Sequence, residues 1–452
     1  MPACLNFFTL RQYVLGLVLG LLTLLDPFGI TSSSDAVSGK WLNRVFSHLY
    51  STQGQQKIAV VIIDDAYLNS HDTFWPLPYD EQSKLFKRLL AYRPRAVFVD
   101  LLYSHDHSTT DLAHSSQLLA NVFDRYQRQG IALFLANTGR KAGDADEANA
   151  QGALTTVSSP ALVSWSGLNG QYPLAQATDL GPMETPALAL YREYCKAYDC
   201  PELPKDANAA VDAPAMALQW GSEPPDNQRK VAQVNNCDKP SVPWTQSLHE
   251  VWVGITSKQK GSDRGRCAPT LTLNASDLEA SDPQDREVIR SLLRGRLVLV
   301  GADVTSVNDL VTSPVHGKIP GVYLHAMALD NLISKGMDYY HDAASVSLDG
   351  FDVSWVDALE LELLVLIAVL KKRTSRNEAK SLQGHSATLR LWATWFGFMA
   401  LLTGITLMLY LLNITPANVL GIATLSLALL SEKFNQYFST PSVPRPIKGI
   451  QG

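Results

Sequence analysis

Six side chains in this 452-residue chain could build one polar site: Asp64, Asp65, Asp100, Asp303, Asp309 and His325. The first four aspartates stand at or just past the ends of apolar, β-branched runs, and Asp309 lies a few residues on. Brought together beyond the carboxyl ends of parallel strands, they would form a polar pocket for a ligand. His325, near the start of a helix, could face the same crevice. Taken singly, each aspartate also fits a plainer role, since Asp favours turns and caps strand ends. A second constellation, Ser104-His105-Asp106-His107 with His71-Asp72 nearby, has metal-ligand chemistry. It follows a strand end, where polar loops are expected, and no metal or cofactor is assigned to it. The chain has no G-x-S-x-G, H-E-x-x-H or P-loop motif, so no enzymatic activity is expected.

The elements that would position these groups read as α/β. Ile58 to Ile63 is a continuous apolar run, as in a parallel strand buried on both faces. A turn follows, with Trp75-Pro76-Leu77-Pro78, then a helix carrying Leu85, Phe86, Leu89 and Leu90 on one side. Arg93-Pro94 stops it before a second strand, Ala96 to Leu102. This β-α-β order predicts parallel strands with a right-handed crossover. A helix over 115–129 and a strand over 131–136 come next. Residues 138–285 are irregular. Order returns with a strand over 297–302 and a helix opened by Pro320-Gly321 and stopped by Gly336.

Four of the five cysteines, Cys195, Cys200, Cys237 and Cys267, fall in that irregular region. An even number in one segment fits disulfides, paired 195 to 200 and 237 to 267 by proximity. Buried thiols or a zinc site are the alternatives, although the short C-x-x-C hooks of zinc sites are missing.

Apolar residues pool at both ends of the chain. Tyr13 to Leu25 reads as an uncleaved anchor, with a signal peptide as the competing reading. Leu391 to Leu412 and Pro416 to Leu430 read as a transmembrane hairpin, and Val353 to Leu370 as a third C-terminal span. Lys371, Lys372 and Arg373 place the following loop in the cytoplasm. Asp357, Glu360 and Glu362 are at odds with a spanning segment, because carboxylates in a bilayer need a partner or a cavity. The expected organisation is an anchor (1–30), an exported α/β domain with a mostly parallel sheet (31–350), three spans with a basic loop at 371–390 (351–432), and a short cytoplasmic tail (433–452). A net charge of −5 with 18% charged residues argues against nucleic-acid binding.

Two blocks are more specific. Residues 60–103 hold the strand, Asp64-Asp65, Trp75-Pro76-Leu77-Pro78, the helix and Pro94-Arg95-Ala96-Val97-Phe98-Val99-Asp100. Residues 293–336 hold Val298-Leu299-Val300-Gly301-Ala302, then Asp309, Pro320-Gly321-Val322 and His325-Ala326. In order and separation they resemble the two ends of the CHASE2 family of extracytoplasmic sensor domains. Tyr79 departs from the basic residue that often follows the Trp-Pro-x-Pro run. The resemblance implies an input domain of bacterial signal transduction in the inner membrane, with its bulk in the periplasm. It carries over positions only, at Asp64, Asp65, Trp75, Asp100, Asp309 and His325. Relatives commonly carry a cytoplasmic kinase or cyclase, and residues 431–452 show no catalytic motif. The expected partners are therefore the membrane, an unidentified extracytoplasmic ligand, a separate cytoplasmic or membrane effector, and a second copy in a homodimer. A structural or assembly subunit of a membrane complex is the alternative.

Overall fold

The computed structural model describes residues 30–103, 112–141, 152–166, 171–200, 202–231, 268–306, 309–348, 351–378, 384–416 and 418–430. The stretch Tyr13 to Leu25, the Ser104 to His107 motif, Cys237, Cys267 and the tail beyond 430 lie outside these residues. The chain divides into two units, 41–342 and the two flanks 1–40 and 343–452.

The larger unit is built on a six-stranded parallel sheet. Its strands are β1 (Ile58–Asp64), β2 (Ala96–Val99), β3 (Ala132–Asn137), β4 (Ser159–Leu162), β7 (Thr272–Asn274) and β8 (Leu297–Asp303). A separate hairpin, β5 (Ala175–Thr178) and β6 (Gly181–Glu184), interrupts the run. The spatial order is β4-β3-β2-β8-β1-β7. β1 and β2 are parallel as expected, but β8 lies between them. The reason is length: β1 and β8 pair along seven residues, whereas β2 offers four.

Strand residues alternate between two apolar layers because successive side chains point to opposite faces. Ala59, Val61 and Ile63 pack with α3 (Tyr79–Ala91), α4 (Leu112–Arg128) and α7 (Pro283–Leu293). Ile58, Val60 and Ile62 pack with α5 (Pro186–Cys195) and α8 (Val322–Lys335). Both faces being covered explains why six of the seven β1 residues are buried. The short helices α2 (Asp65–Ser70) and α6 (Ala207–Val211) and the hairpin β9 (Leu310–Ser313) and β10 (Gly317–Pro320) complete the unit. Cys195 and Cys200 form the first expected disulfide, with their Cα atoms 5.4 Å apart. The helix α1 (Ile30–Phe46), unread in the sequence, feeds into this unit. Its Asn43 is fastened by its side-chain amide to the Leu218 carbonyl (2.6 Å) and the Trp220 N–H (3.0 Å).

In the other unit, a hairpin of β11 (Ser345–Leu348) and β12 (Phe351–Ser354) leads into α9 (Trp355–Glu378), followed by α10 (Gly384–Leu411) and α11 (Val419–Leu430). Among the described residues one helix, Trp392–Leu411, is long and apolar enough to cross a membrane. Only 22% of it is buried, unlike the core helix of a soluble domain. The basic stretch expected as loop from Lys371 is instead helical to Glu378, since it holds no Gly or Pro to end the helix. Two of the three troublesome carboxylates are accounted for locally. Asp357 and Ser354 form a reciprocal cap at the start of α9, with the Ser354 N–H 2.7 Å from Asp357 Oδ2. Glu360 is buried and accepts the Asn418 N–H at the start of α11, where Asn418 Oδ1 accepts the Gly421 N–H at 2.8 Å. Glu362 is exposed.

Candidate functional site

The sheet order explains where the aspartates gather. After β1 and after β2 the chain crosses on the α3–α4 face, and after β8 it crosses on the α8 face. The connections therefore diverge on both flanks of β8, and such switch points open crevices at the carboxyl edge. One acidic group occupies each flank.

On the β1 flank, Asp64 and Asp303 end adjacent strands in register. Asp64 caps α2 by accepting the Tyr67 N–H at 2.8 Å, the plainer of the two roles expected for it. Asp65 reaches across to the loop after β8, where its carboxylate accepts the Thr305 N–H (3.1 Å) and hydroxyl. Partial desolvation raises the Asp303 pKa, and the charges of Asp64 and Asp65 raise it further. Asp277, which the sequence did not single out, is raised by burial and by Asp64.

On the β2 flank, the Asp100 N–H continues the sheet by donating to the Val300 carbonyl at 2.8 Å. The half-buried Asp100 has its pKa pushed up to about 8 by desolvation, with the charge of Asp309 as the second cause. Asp309 is fixed where the β9–β10 hairpin closes, since its carbonyl accepts the Gly321 N–H at 3.0 Å. Its carboxylate lies over Gly321, close enough that an added Cβ would stand 2.7 Å from Oδ1 and push the carboxylate aside. His325 is buried on the first turns of α8 and shares a hydrogen bond of 2.8 Å through Nδ1 with the Tyr172 hydroxyl. Phe98 and Trp165 stand edge-on to its ring, with centroids 5.4 Å and 6.1 Å away. Burial lowers its pKa to about 3, so the imidazole is neutral at physiological pH. The charge of Asp100 acts on Tyr172, which joins the two halves of this group.

The structure thus brings five of the expected residues to one edge in two clusters and adds His325 to the second. Trp75 lies elsewhere. It is half-buried against the α3–α4 layer, the face opposite His325. Tyr172, Trp165 and Thr305 were missed. Tyr172 and Trp165 lie between β4 and β5, in a stretch that the sequence did not resolve into elements, and Tyr172 pairs there by a single bridge to Met216. Among the described residues, no three His, Cys, Asp or Glu side chains are grouped to hold a metal ion.

A three-layer α/β domain with polar groups at its switch points is an architecture that binds small ligands. The CHASE2 domain family matches residues 17–370, and the chain belongs to this family of extracytoplasmic sensor domains. No curated protein and no solved structure is significantly similar to the chain.

Proposed function

We propose that this protein is a sensor anchored in the bacterial inner membrane by several helices, with its α/β domain in the periplasm. It binds a ligand in the crevice flanking β8 and passes the change through its helices to a separate effector. No catalytic step is part of this reading. The observation that carries it is the double switch point at β8. The chain leaving β8 supplies Thr305, Asp309 and His325, and so borders both acidic clusters at once. A ligand there would press on α8 and on the β9–β10 hairpin, whose Pro314 carbonyl is bonded by Arg44 of α1. The chemistry of the crevice favours an uncharged or cationic polar ligand. Its carboxylates repel anions, and its histidine is neutral and so cannot offset them. Membrane anchoring is supported by the apolar Trp392–Leu411 helix. Trp392, Trp395 and Phe396 cluster at one end of it, as interfacial aromatics do.

Crosslinked capture of the full-length protein from native membranes, with partners identified by mass spectrometry, tests this reading. Recovery of a cytoplasmic kinase, cyclase or similar effector supports a sensor, and loss of that effector from an Asp100→Asn variant ties it to the crevice. Recovery of only the protein itself and envelope proteins favours an assembly subunit. That second reading would have intramembrane carboxylates seek partners in other chains, yet Asp357 and Glu360 are engaged within this one.

A further inference from the structure

The amino edge of the sheet, opposite the acidic crevice, carries a cavity of about 620 Å³. Arg93 and Arg95 reach it from the α3–β2 connection, and Glu193 and Lys196 from the end of α5. Gly130 and Gly295 line it at two tight turns, each with φ of +71° and open space where a Cβ would stand. Lys196 is paired with Glu193 at 2.6 Å, so the only acid of the lining is already matched. Two cations are left over.

One of these cations, Arg95, is held in place. The Arg95 guanidinium donates to the Glu193 carbonyl at 3.3 Å and lies 5.8 Å from the centre of the Tyr198 ring. Lys57 approaches the same ring at 5.0 Å and donates to its hydroxyl at 3.2 Å. Tyr198 is steadied in turn by stacking on Tyr194, with centroids 4.2 Å apart. Arg93 is exposed, forms no ion pair with a described residue, and sits at φ 53°, a conformation that costs a non-glycine residue strain. Helix C-termini gather at this edge, and a cation near each is favourable. That accounts for one cation per helix end, but not for two arginines from a single connection converging with Lys196 on one cavity.

We propose that this groove is a second site, for a phosphate-bearing ligand. Arginine forks match phosphate oxygens in pairs, and Arg95, already fixed against the Tyr198 ring, loses little freedom on binding. The site is separate from the crevice at β8 and stands or falls independently of it.

Calorimetric titration of the full chain in phosphatidylcholine nanodiscs with pyrophosphate is the test. The expected result is saturable binding that weakens as salt is raised. Arg93→Gln should weaken it about ten-fold, the scale of one lost charge-assisted contact. Lys318→Ala removes the same charge from exposed β10 and should leave the affinity unchanged. Both side chains are exposed, so neither change should move the melting temperature. Absence of saturable binding, or equal weakening by both substitutions, overturns the proposal. Adding phosphatidylglycerol identifies the source. If it competes with pyrophosphate on the parent protein but not on Arg93→Gln, the ligand is a lipid headgroup. If it does not compete, the ligand is a soluble phosphate compound.

Discussion

Asp330 shows how much a single carboxyl can govern. It is fully buried on α8 beneath Gly54, where no larger side chain fits. Its Oδ1 accepts the Ser334 hydroxyl at 3.2 Å, and the hydrogen bonds from Ser334 and Tyr50 offset its burial only in part. Desolvation pushes its pKa up to about 8. The folded value lies above the unfolded one, so its contribution to stability is full below the unfolded carboxylate range. That contribution is lost as pH rises toward about 8, and the loss is of order 5 kcal/mol by linkage. Asp330→Asn keeps the shape and removes the ionisation. Thermal melts should show the variant above the parent protein at about pH 9 and level with it near pH 4. Asp100, also raised to about 8, leaves a residual pH dependence in the variant.

Two contacts between elements carry similar weight. α8 packs so closely on β8 that a Cβ at Gly301 would stand 2.6 Å from Val322 Cβ. Gly301→Ala should therefore lower stability by about 1–3 kcal/mol through overpacking, read as a fall in melting temperature. It should also disturb the crevice, since α8 carries His325. In the helical unit, Glu360 serves the start of α11 while Glu362 faces outward. Glu360→Leu should cost about 1 kcal/mol or more, because it leaves a helix-end N–H without its acceptor. Glu362→Leu should be silent. Limited proteolysis in detergent separates the two: α11 should become more susceptible only in the Glu360 variant.

Across the larger unit, charge is sorted by the direction of the strands. Parallel strands flanked by helices place strand carboxyl ends and helix N-termini at one edge, and the reverse at the other. Asp64, Asp100 and Asp303 stand at the first edge, and Arg93, Arg95 and Arg294 at the second. The proposed topology makes a prediction at the scale of the whole protein. With the native thiols replaced by serine, Ser345→Cys should react with a membrane-impermeant maleimide in intact cells. Ser381→Cys, beside the basic stretch, should react only after permeabilisation. Labelling of Ser381→Cys from outside would reverse the orientation.

Four strands of the sheet (β1, β2, β3 and β8), the helices α3, α4 and α8, the parallel α/β class and the Cys195–Cys200 bond were legible because each rests on local signals. These signals are continuous apolar runs, helical spacing, Gly and Pro punctuation, and short sequence separation. The family was legible too, from two blocks of distinctive residues. Asp64, Asp100, Asp309 and His325 could be listed as candidates from their places at element ends. What the sequence left open was which of them meet. The insertion of β8 between β1 and β2 joins segments more than 190 residues apart, and it alone divides the acids into two groups. Tyr172 becomes the partner of His325 only because an irregular segment folds across α8. Glu360 becomes a helix cap only because α11 starts beside it. Local chemistry sets which elements form and what lies at their ends. Long-range packing, driven by burial of both faces of the sheet, sets who stands beside whom and how each proton is held.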